Sequence, residues 1–263
     1  MTSDKPFNYT SYLRVPDLLS LQTPASDPAE HDEMLFIIIH QVYELWFKQM
    51  LHEIDALCER LRANDTPGAS ATLRRLLKIL KTVVAQVDVL ETMTPLEFNA
   101  FRSFLSSASG FQSVQFRELE FALGHKRANM LKHFPEDAFH RDELERRYNM
   151  PTLWDAFAAY IAANGFDVPT EILERDVTDP VTPSETFQAV LVRVYREAPA
   201  AQRVCELLID LDEGLQEWRY RHVKMVERTI GTKPGTGGSP GAKYLATTVH
   251  PAFPDLWAIR SML

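Results

Sequence analysis

Apolar residues recur every three or four positions along most of the chain, which is the spacing of one face of an α-helix. Three long stretches show this pattern, and each presents a wide apolar face. We predict long helices from Asp27 to about Arg62, from about Ala69 to Glu91, and from about Ala200 to Ile230. Alternating runs of Val, Ile and Thr are almost absent. The pattern predicts an all-α fold built around three long helices.

Helix-start signals divide the chain further. Asp27, followed by Pro28, is expected to cap the first long helix, and the segment 65–68 to break the chain before the second. Residues 94–97 (Thr-Pro-Leu-Glu) and 182–185 (Thr-Pro-Ser-Glu) have the form of capping boxes, so each predicts a new helix. Two more helices are expected, over residues 111–123 and 152–164.

The chain shows no internal repeat and no low-complexity linker. We therefore expect its 263 residues to form a single all-α domain. The apolar face of the first long helix is wider than one neighbouring helix can cover, which hints at an oligomer.

Charge and composition exclude several classes of protein. The formal net charge of −8 at pH 7 argues against nucleic acid and anionic membranes, since both need a basic face. No apolar run is long enough to cross a bilayer, and the polar N-terminus lacks a signal-peptide pattern. Cys58 and Cys205 are too few for a disulfide framework or a cysteine-bound zinc. We expect a cytoplasmic protein with two buried thiols, although one disulfide is possible.

The eight histidines raise the question of a metal. The chain has neither the His-Glu-x-x-His segment of zinc enzymes nor the Glu-x-x-His pairs of di-iron bundles. The segment 31–33 (His-Asp-Glu) resembles a metal cluster, but adjacent residues of a helix point in different directions. Haem needs less, because one histidine on a rigid helix suffices as its axial ligand.

His222 suits that role. It lies deep in the last long helix, on one stripe with Leu215, Trp218 and Val226, so its ring is expected to face an apolar region. The alternative is a core histidine bonded to a carbonyl group. The neighbouring Arg219 and Arg221 are most simply solvated charges, and the alternative is that either one meets a haem propionate.

Two further residues suggest a site for an aromatic amino acid. His40 shares a helix face with Phe36 and Tyr43, an arrangement that suits a flat aromatic ligand, and the alternative is a core histidine with a satisfied hydrogen bond. Arg102 lies on an aromatic stripe with Phe98, and a guanidinium there needs an anionic partner. That partner is either an internal carboxylate or the carboxylate of a bound amino acid.

Residues 235–241 form a glycine-rich loop. A phosphate cradle is disfavoured, because the loop lacks the P-loop lysine and follows a helix rather than a strand. A flexible lid over a ligand, with Thr236 supplying a hydroxyl group, and a plain surface loop both remain open.

Three blocks of sequence, taken together, resemble the tryptophan 2,3-dioxygenase family. They are residues 31–41 with 44–48, residues 98–102 with 109–113, and residues 218–222 with 235–239. The similarity extends from Tyr9 to about Arg260. It implies one all-α domain over residues 1–263, with long core helices that enclose a pocket for one haem b per subunit. It further implies a homotetramer that cleaves the indole C2–C3 bond of L-tryptophan with O₂, giving N-formyl-L-kynurenine, the first step of the kynurenine pathway.

The resemblance also implies a role for each site residue. His222 would be the axial ligand of the iron, and His40 the catalytic residue beside the indole N–H. The substrate-binding residues would be Phe36, Ile37, Ile38, Ile39, Phe98, Arg102 for the carboxylate, and Thr236, with a haem propionate, for the ammonium group. Tyr9 and Tyr12, in the N-terminal segment 1–26, would reach into a neighbouring subunit's site.

Two positions depart from the family pattern. Some members have tyrosine where this chain has Phe98, and Pro240 stands where a small polar residue is common. We expect the tyrosine hydroxyl to be missing from the pocket and lid closure to be altered. The alternatives are a haem monooxygenase acting on a tryptophan analogue and a non-catalytic haem sensor, for which Arg102 and Thr236 together would be unnecessary.

Overall fold

The computed structural model describes residues 7–135, 140–238 and 241–263. The α-helices are α1 (Tyr9–Tyr12), α2 (Val15–Leu18), α3 (His31–Arg62), α4 (Thr66–Leu90), α5 (Pro95–Arg102), α6 (Val114–Ala122), α7 (Arg141–Tyr148), α8 (Leu153–Ala163), α9 (Thr170–Leu173), α10 (Glu185–Glu197), α11 (Pro199–Ile230), α12 (Ala242–Ala246) and α13 (Pro254–Ala258). Short 3₁₀ turns occur at Ser103–Leu105, Gly110–Gln112, Ala128–His133 and Ile259–Met262. No strand occurs in these described ranges, and the all-α prediction is confirmed.

The three predicted long helices, α3, α4 and α11, form the centre of the molecule. α4 packs along both α3 and α11, so its apolar stripe is covered on two sides. Leu57, Leu73 and Leu208 are fully buried there, and each such side chain contributes about 1.5–3 kcal/mol. Gly214 lets α11 approach α4 closely, because a Cβ at that position would lie 2.8 Å from Cδ2 of Leu80. The three packed helices α3, α4 and α11 each contribute residues to the site described below.

The predicted start of the first long helix at Asp27 is wrong. α3 begins at His31, with Glu30 as its N-cap. The carboxylate of Glu33 accepts hydrogen bonds from the main-chain N–H groups of Ala25 (2.8 Å) and Ser26 (3.0 Å). These bonds hold the preceding segment as a loop folded back on the first turn of α3.

Two other helix starts also differ from the prediction. α4 begins at Thr66, because Asp65 caps it by accepting from the N–H of Gly68 (3.0 Å), so the expected break is a start signal. α10 begins at Glu185, because Ser184 rather than Thr182 is the cap, accepting from the Phe187 N–H (3.3 Å).

The remaining start signals give helices close to those predicted. Thr94 and Glu97 form the expected capping box of α5, and Thr152 caps α8. α6 is shorter than predicted, because residues 110–112 form a 3₁₀ turn and Ser113 caps the helix proper. α11 ends at Ile230, where Gly231 has a φ of 61°.

A buried carboxylate on α11 fixes the C-terminal segment. Asp212 accepts hydrogen bonds from the N–H groups of Ala252 (3.0 Å) and Phe253 (3.0 Å) and from Nε1 of Trp257 (2.9 Å). The thiols of Cys58 and Cys205 are buried and free, as predicted. None of the described helices is long and apolar enough to cross a membrane.

Candidate functional site

A cavity of about 270 Å³ lies at one end of the three-helix core. Its lining includes Phe36, His40, Tyr43 and Glu44 of α3, Phe98 and Arg102 of α5, Phe116, Arg117 and Glu120 of α6, Trp218, Arg219 and His222 of α11, Tyr244 of α12, and Arg127 and Thr236 from the connecting segments. The cavity therefore brings together the principal residues that the sequence suggested.

His222 borders this cavity from α11. Trp218, one turn earlier, stacks on its imidazole with ring centroids 5.3 Å apart and planes 18° apart. Burial lowers the pKa of His222 to about 4, and the charge of Arg219 and any proton taken up by His40 act in the same direction. The ring is therefore neutral at physiological pH and can offer a nitrogen lone pair to a metal.

His40 enters the cavity from α3. Its Nδ1 lies 2.6 Å from the main-chain oxygen of Phe36. Because a carbonyl oxygen only accepts, Nδ1 carries the hydrogen and Nε2 keeps its lone pair. Burial lowers the pKa of His40, whereas this hydrogen bond and the charge of Glu44 act in the opposite direction. The result is a neutral hydrogen-bond acceptor on the cavity wall.

An aromatic wall adjoins His40. The Phe36 ring lies 4.1 Å from the imidazole, 5.9 Å from the ring of Phe98 and 5.5 Å from the ring of Phe101, measured between centroids. Aromatic rings at such distances favour a flat aromatic ligand, which can pack edge-on or offset against them.

Arg102 reaches the cavity from the end of α5. It donates a hydrogen bond to the main-chain oxygen of Pro234 (2.6 Å), and within the described ranges no carboxylate forms an ion pair with it. The internal salt bridge considered above is therefore not found in that part of the chain. The remaining guanidinium N–H groups can bind a carboxylate.

Thr236 and Gly237 of the glycine-rich loop pack against the segment that follows α5. Thr236 donates its hydroxyl hydrogen to the main-chain oxygen of Ala108 (2.6 Å). Gly237 allows this approach, because a Cβ there would lie 2.7 Å from Cβ of Ser109. Thr236 and Arg102 thereby reach one cavity. Ser239 and Pro240, which the sequence placed in this loop, lie outside the described residues.

A buried charge cluster forms another wall, and most of it was not predicted. Glu120 binds three guanidinium groups, those of Arg117, Arg127 (2.9 Å) and Arg219 (2.8 Å). Burial alone would raise the pKa of Glu120, but the three arginines lower it to about 2. Three cations against one anion leave two positive charges beside the cavity, and buried charge requires compensation.

The cluster has unused donors. Nε of Arg117 and Nε of Arg219 are buried, and neither has a hydrogen-bond partner among the residues described. Arg219 is buried, so the expectation of a solvated charge is wrong for this residue. Arg221 pairs with Asp88 (2.6 Å) on the surface. The i, i+3 spacing of Arg117 and Glu120 is visible in the sequence, but their burial is not.

Several predicted site residues lie outside this cavity. Ile37, Ile38 and Ile39 are not among its lining residues; Ile39 packs in the core and Ile38 is exposed. Tyr9 and Tyr12 of α1 are exposed on the surface, with 75% and 66% of their area accessible. No group of three potential metal ligands, including the segment 31–33, occurs in the described part of the chain.

Comparisons with known proteins identify the family of this chain. The family model of tryptophan 2,3-dioxygenase matches residues 2–153 and 136–263. A tryptophan 2,3-dioxygenase of Herpetosiphon aurantiacus is 63% identical over 255 residues, which cover 97% of this chain and 98% of the relative. Enzymes of the same name from an Anaeromyxobacter species and an Arthrobacter species are 56% and 44% identical, each over 97% of this chain and over 96% and 91% of their own lengths. The chain belongs to the tryptophan 2,3-dioxygenase family.

Proposed function

We propose that this protein holds haem b on His222 and uses O₂ to cleave the indole C2–C3 bond of L-tryptophan, giving N-formyl-L-kynurenine, the first step of the kynurenine pathway. The observation that carries the proposal is the meeting of four features in one cavity. The first two are neutral His222 and the buried arginine cluster around Glu120, which has two net positive charges. The others are the aromatic wall beside His40, a hydrogen-bond acceptor, and Arg102, which has free N–H donors.

The residues present fit a haem group. Haem needs a nitrogen ligand for its iron, an apolar space for its ring and countercharges for two propionates. Neutral His222 provides the nitrogen, and the buried cluster of Arg117, Arg127, Arg219 and Glu120 provides two positive charges with two unused Nε donors. When bound, haem would supply the activation of O₂.

The other walls fit L-tryptophan. Arg102 would bind its carboxylate bidentately, and Thr236, with a haem propionate, would hold its ammonium group. The indole would pack against Phe36 and Phe98, with its N–H donating to Nε2 of His40. Fixing both ends of the substrate against O₂ contributes up to roughly 7–11 kcal/mol in favourable cases.

His40 would orient the indole rather than remove its proton outright. An indole N–H is a poor acid, and burial lowers the pKa of His40, which makes the ring a weak base. A hydrogen bond from the indole N–H to Nε2 then fixes the substrate ring without a complete proton transfer.

The exposed N-terminal segment supports a homotetramer. Large hydrophobic side chains of the segment 7–21 are exposed, among them Phe7 (82%) and Leu19 (71%), and Ile38 and Leu45 of α3 are exposed as well. Many large hydrophobic side chains exposed within one short segment are typical of an interaction site. A second copy would cover it, with Tyr9 and Tyr12 completing the neighbouring site. The two free buried thiols suit the reducing cytoplasm, where we place the enzyme.

Product mass tests this function. The chain is expressed with haem supplied, reduced, mixed with L-tryptophan and exposed to ¹⁸O₂. We expect near-ultraviolet absorbance of N-formyl-L-kynurenine to grow and the product to carry two ¹⁸O atoms. One labelled atom would identify a monooxygenase, and a haem spectrum without product would identify a non-catalytic haem protein; either result would refute the proposal.

A further inference from the structure

Glu44 lies on the cavity wall, one helical turn after His40. Its side chain is half-buried, and no lysine or arginine in the described ranges forms an ion pair with it. An uncompensated carboxylate is costly in a cavity that is mostly apolar. The roles proposed above do not use this charge.

Gln115 of α6 holds Glu44 in place. Its Nε2 donates to the main-chain oxygen of Glu44 (2.9 Å) and to the carboxylate Oε2 of the same residue (2.9 Å). Both hydrogens of the amide are thereby used. A neutral amide orients the carboxylate without cancelling its charge, so the negative charge remains available to a neighbour.

The neighbour is His40. Its Nδ1–H is committed to the Phe36 carbonyl, so any added proton arrives at Nε2 and creates a buried cation. Glu120 pairs with three arginines, so of the two carboxylates on the cavity wall Glu44 is the one without an ion pair in the described ranges. The charged or titratable groups that line the cavity with His40 are Tyr43, Glu44, Arg102, Arg117, Glu120, Arg127, Arg219, His222 and Tyr244. Glu44 supplies negative charge among them, and its charge raises the pKa of His40 against the effect of burial.

We propose that Glu44 is a positioning residue for tryptophan cleavage: held by Gln115, its carboxylate stabilises the partial positive charge that His40 acquires from the indole N–H. The inference rests on the proposed function. As the indole is attacked, its nitrogen becomes electron-poor and the N–H proton shifts toward Nε2. The proton returns to the same nitrogen once the C2–C3 bond has broken, so no proton is lost or gained.

The test is Glu44→Gln in the haem-loaded enzyme, with two readouts. The first is the titration of His40, followed by NMR of ¹³C-labelled histidine in the reduced carbon monoxide form and assigned with His40→Ala. We expect the pKa of His40 to fall by about one unit, the lower end for a neighbouring opposite charge. The second is kcat, which should fall by up to about tenfold, since one pKa unit corresponds to a factor of ten.

Three further variants make the test specific. Glu59→Gln removes the same charge from an exposed position of α3 and should change neither readout. Glu44→Asp should restore most of the titration, and Gln115→Leu, which frees the carboxylate, should lie between wild type and Glu44→Gln. An unchanged His40 titration in Glu44→Gln would overturn the proposal.

A different loss would also overturn it. If Glu44→Gln leaves His40 unchanged but raises KM for L-tryptophan, the carboxylate binds the substrate ammonium group instead. The titration does not depend on turnover. Wild-type protein that fails to convert tryptophan therefore refutes the proposed function, whereas the NMR measurement still decides whether Glu44 stabilises charge on His40.

Discussion

At the scale of single residues, Arg102 has one hydrogen bond within the protein and further N–H groups left for a ligand. It donates to the main-chain oxygen of Pro234, just before the glycine-rich loop, and its other N–H groups remain for a carboxylate. Arg102→Ala should weaken L-tryptophan binding by about 1.5–3 kcal/mol, the value of a charged hydrogen bond. Arg102→Lys keeps the positive charge but loses the planar guanidinium that binds a carboxylate bidentately, so it should recover only part of the affinity for L-tryptophan.

Equilibrium binding of L-tryptophan, followed by the haem absorbance, measures this effect. A dissociation constant that is unchanged in Arg102→Ala would refute the carboxylate assignment.

Glu118 gives a second residue-scale prediction, which concerns pH. Burial raises its pKa to about 6 from the ordinary value of 4.5, although Arg147 opposes the shift. Ionisation is thus harder in the folded state, so stability from this group is greatest at low pH and is lost as pH rises through 4.5 to 6. Glu118→Gln should raise the free energy of unfolding at pH 8 by at most about 2 kcal/mol, and by less at pH 5.

Urea unfolding at the two pH values checks this, with Glu59→Gln as the exposed control on α3. An equal change at pH 5 and pH 8 would show that the effect does not come from ionisation of Glu118.

Single residues also show what sequence reasoning could reach. His222, His40 and Arg102 stand out because a polar group on an apolar helix face is visible in the periodicity. Arg117, Arg127 and Glu120 were missed, because charged side chains are abundant and only the fold brings these three together and buries them. Glu44 was missed for a related reason: its partner Gln115 lies 71 residues away.

At the scale of elements, helix interiors were predicted better than helix starts. The apolar faces of α3, α4 and α11 extend over many turns, so a few exceptional residues do not obscure the helical periodicity. The start of a helix depends on which of several adjacent residues provides the N-cap. Glu33 accepts hydrogen bonds from the N–H groups of residues 25 and 26, and α3 therefore begins later than predicted. The Asp27-Pro28 pattern gives no information about these bonds.

The loop that carries Thr236 yields an element-scale prediction. Gly237→Ala should push the loop away from Ser109, because the new Cβ would lie 2.7 Å from Cβ of that serine. The displaced Thr236 should then raise KM for L-tryptophan more than it lowers kcat. Ser109→Gly in the same protein removes the clash and should restore part of the affinity.

Steady-state kinetics of the single and double variants measure this coupling. If Ser109→Gly makes the Gly237→Ala enzyme worse, the contact between the two residues does not set the loop position.

At the scale of the whole molecule, the exposed segment 7–21 predicts dependence on assembly. Deleting the chain up to Leu21 removes Tyr9, Tyr12 and the apolar side chains around them, so the oligomer should dissociate and kcat/KM should fall. Light scattering gives the mass, and Tyr9→Phe with Tyr12→Phe is the control that keeps the apolar surface. A shortened chain that remains tetrameric and fully active would contradict this role.

The overall fold was predictable because three long amphipathic helices leave few ways to bury their apolar faces. The cavity was not predictable from periodicity, since it arises where α3, α5, α6 and α11 fail to meet, and residues from 235–238 and 241–248 line the gap between them. Before the fold was known, haem was suggested by His222 on its apolar helix stripe and, more specifically, by the family resemblance.

The central claim is that His222 holds the haem in this cavity, opposite His40. Haem titration of the wild type, His40→Ala and His222→Ala, followed by the absorbance spectrum, tests it most directly. We predict a histidine-ligated haem at one per chain in the wild type and in His40→Ala, and loss of stable haem binding in His222→Ala. A His222→Ala protein with the wild-type haem spectrum would contradict the account.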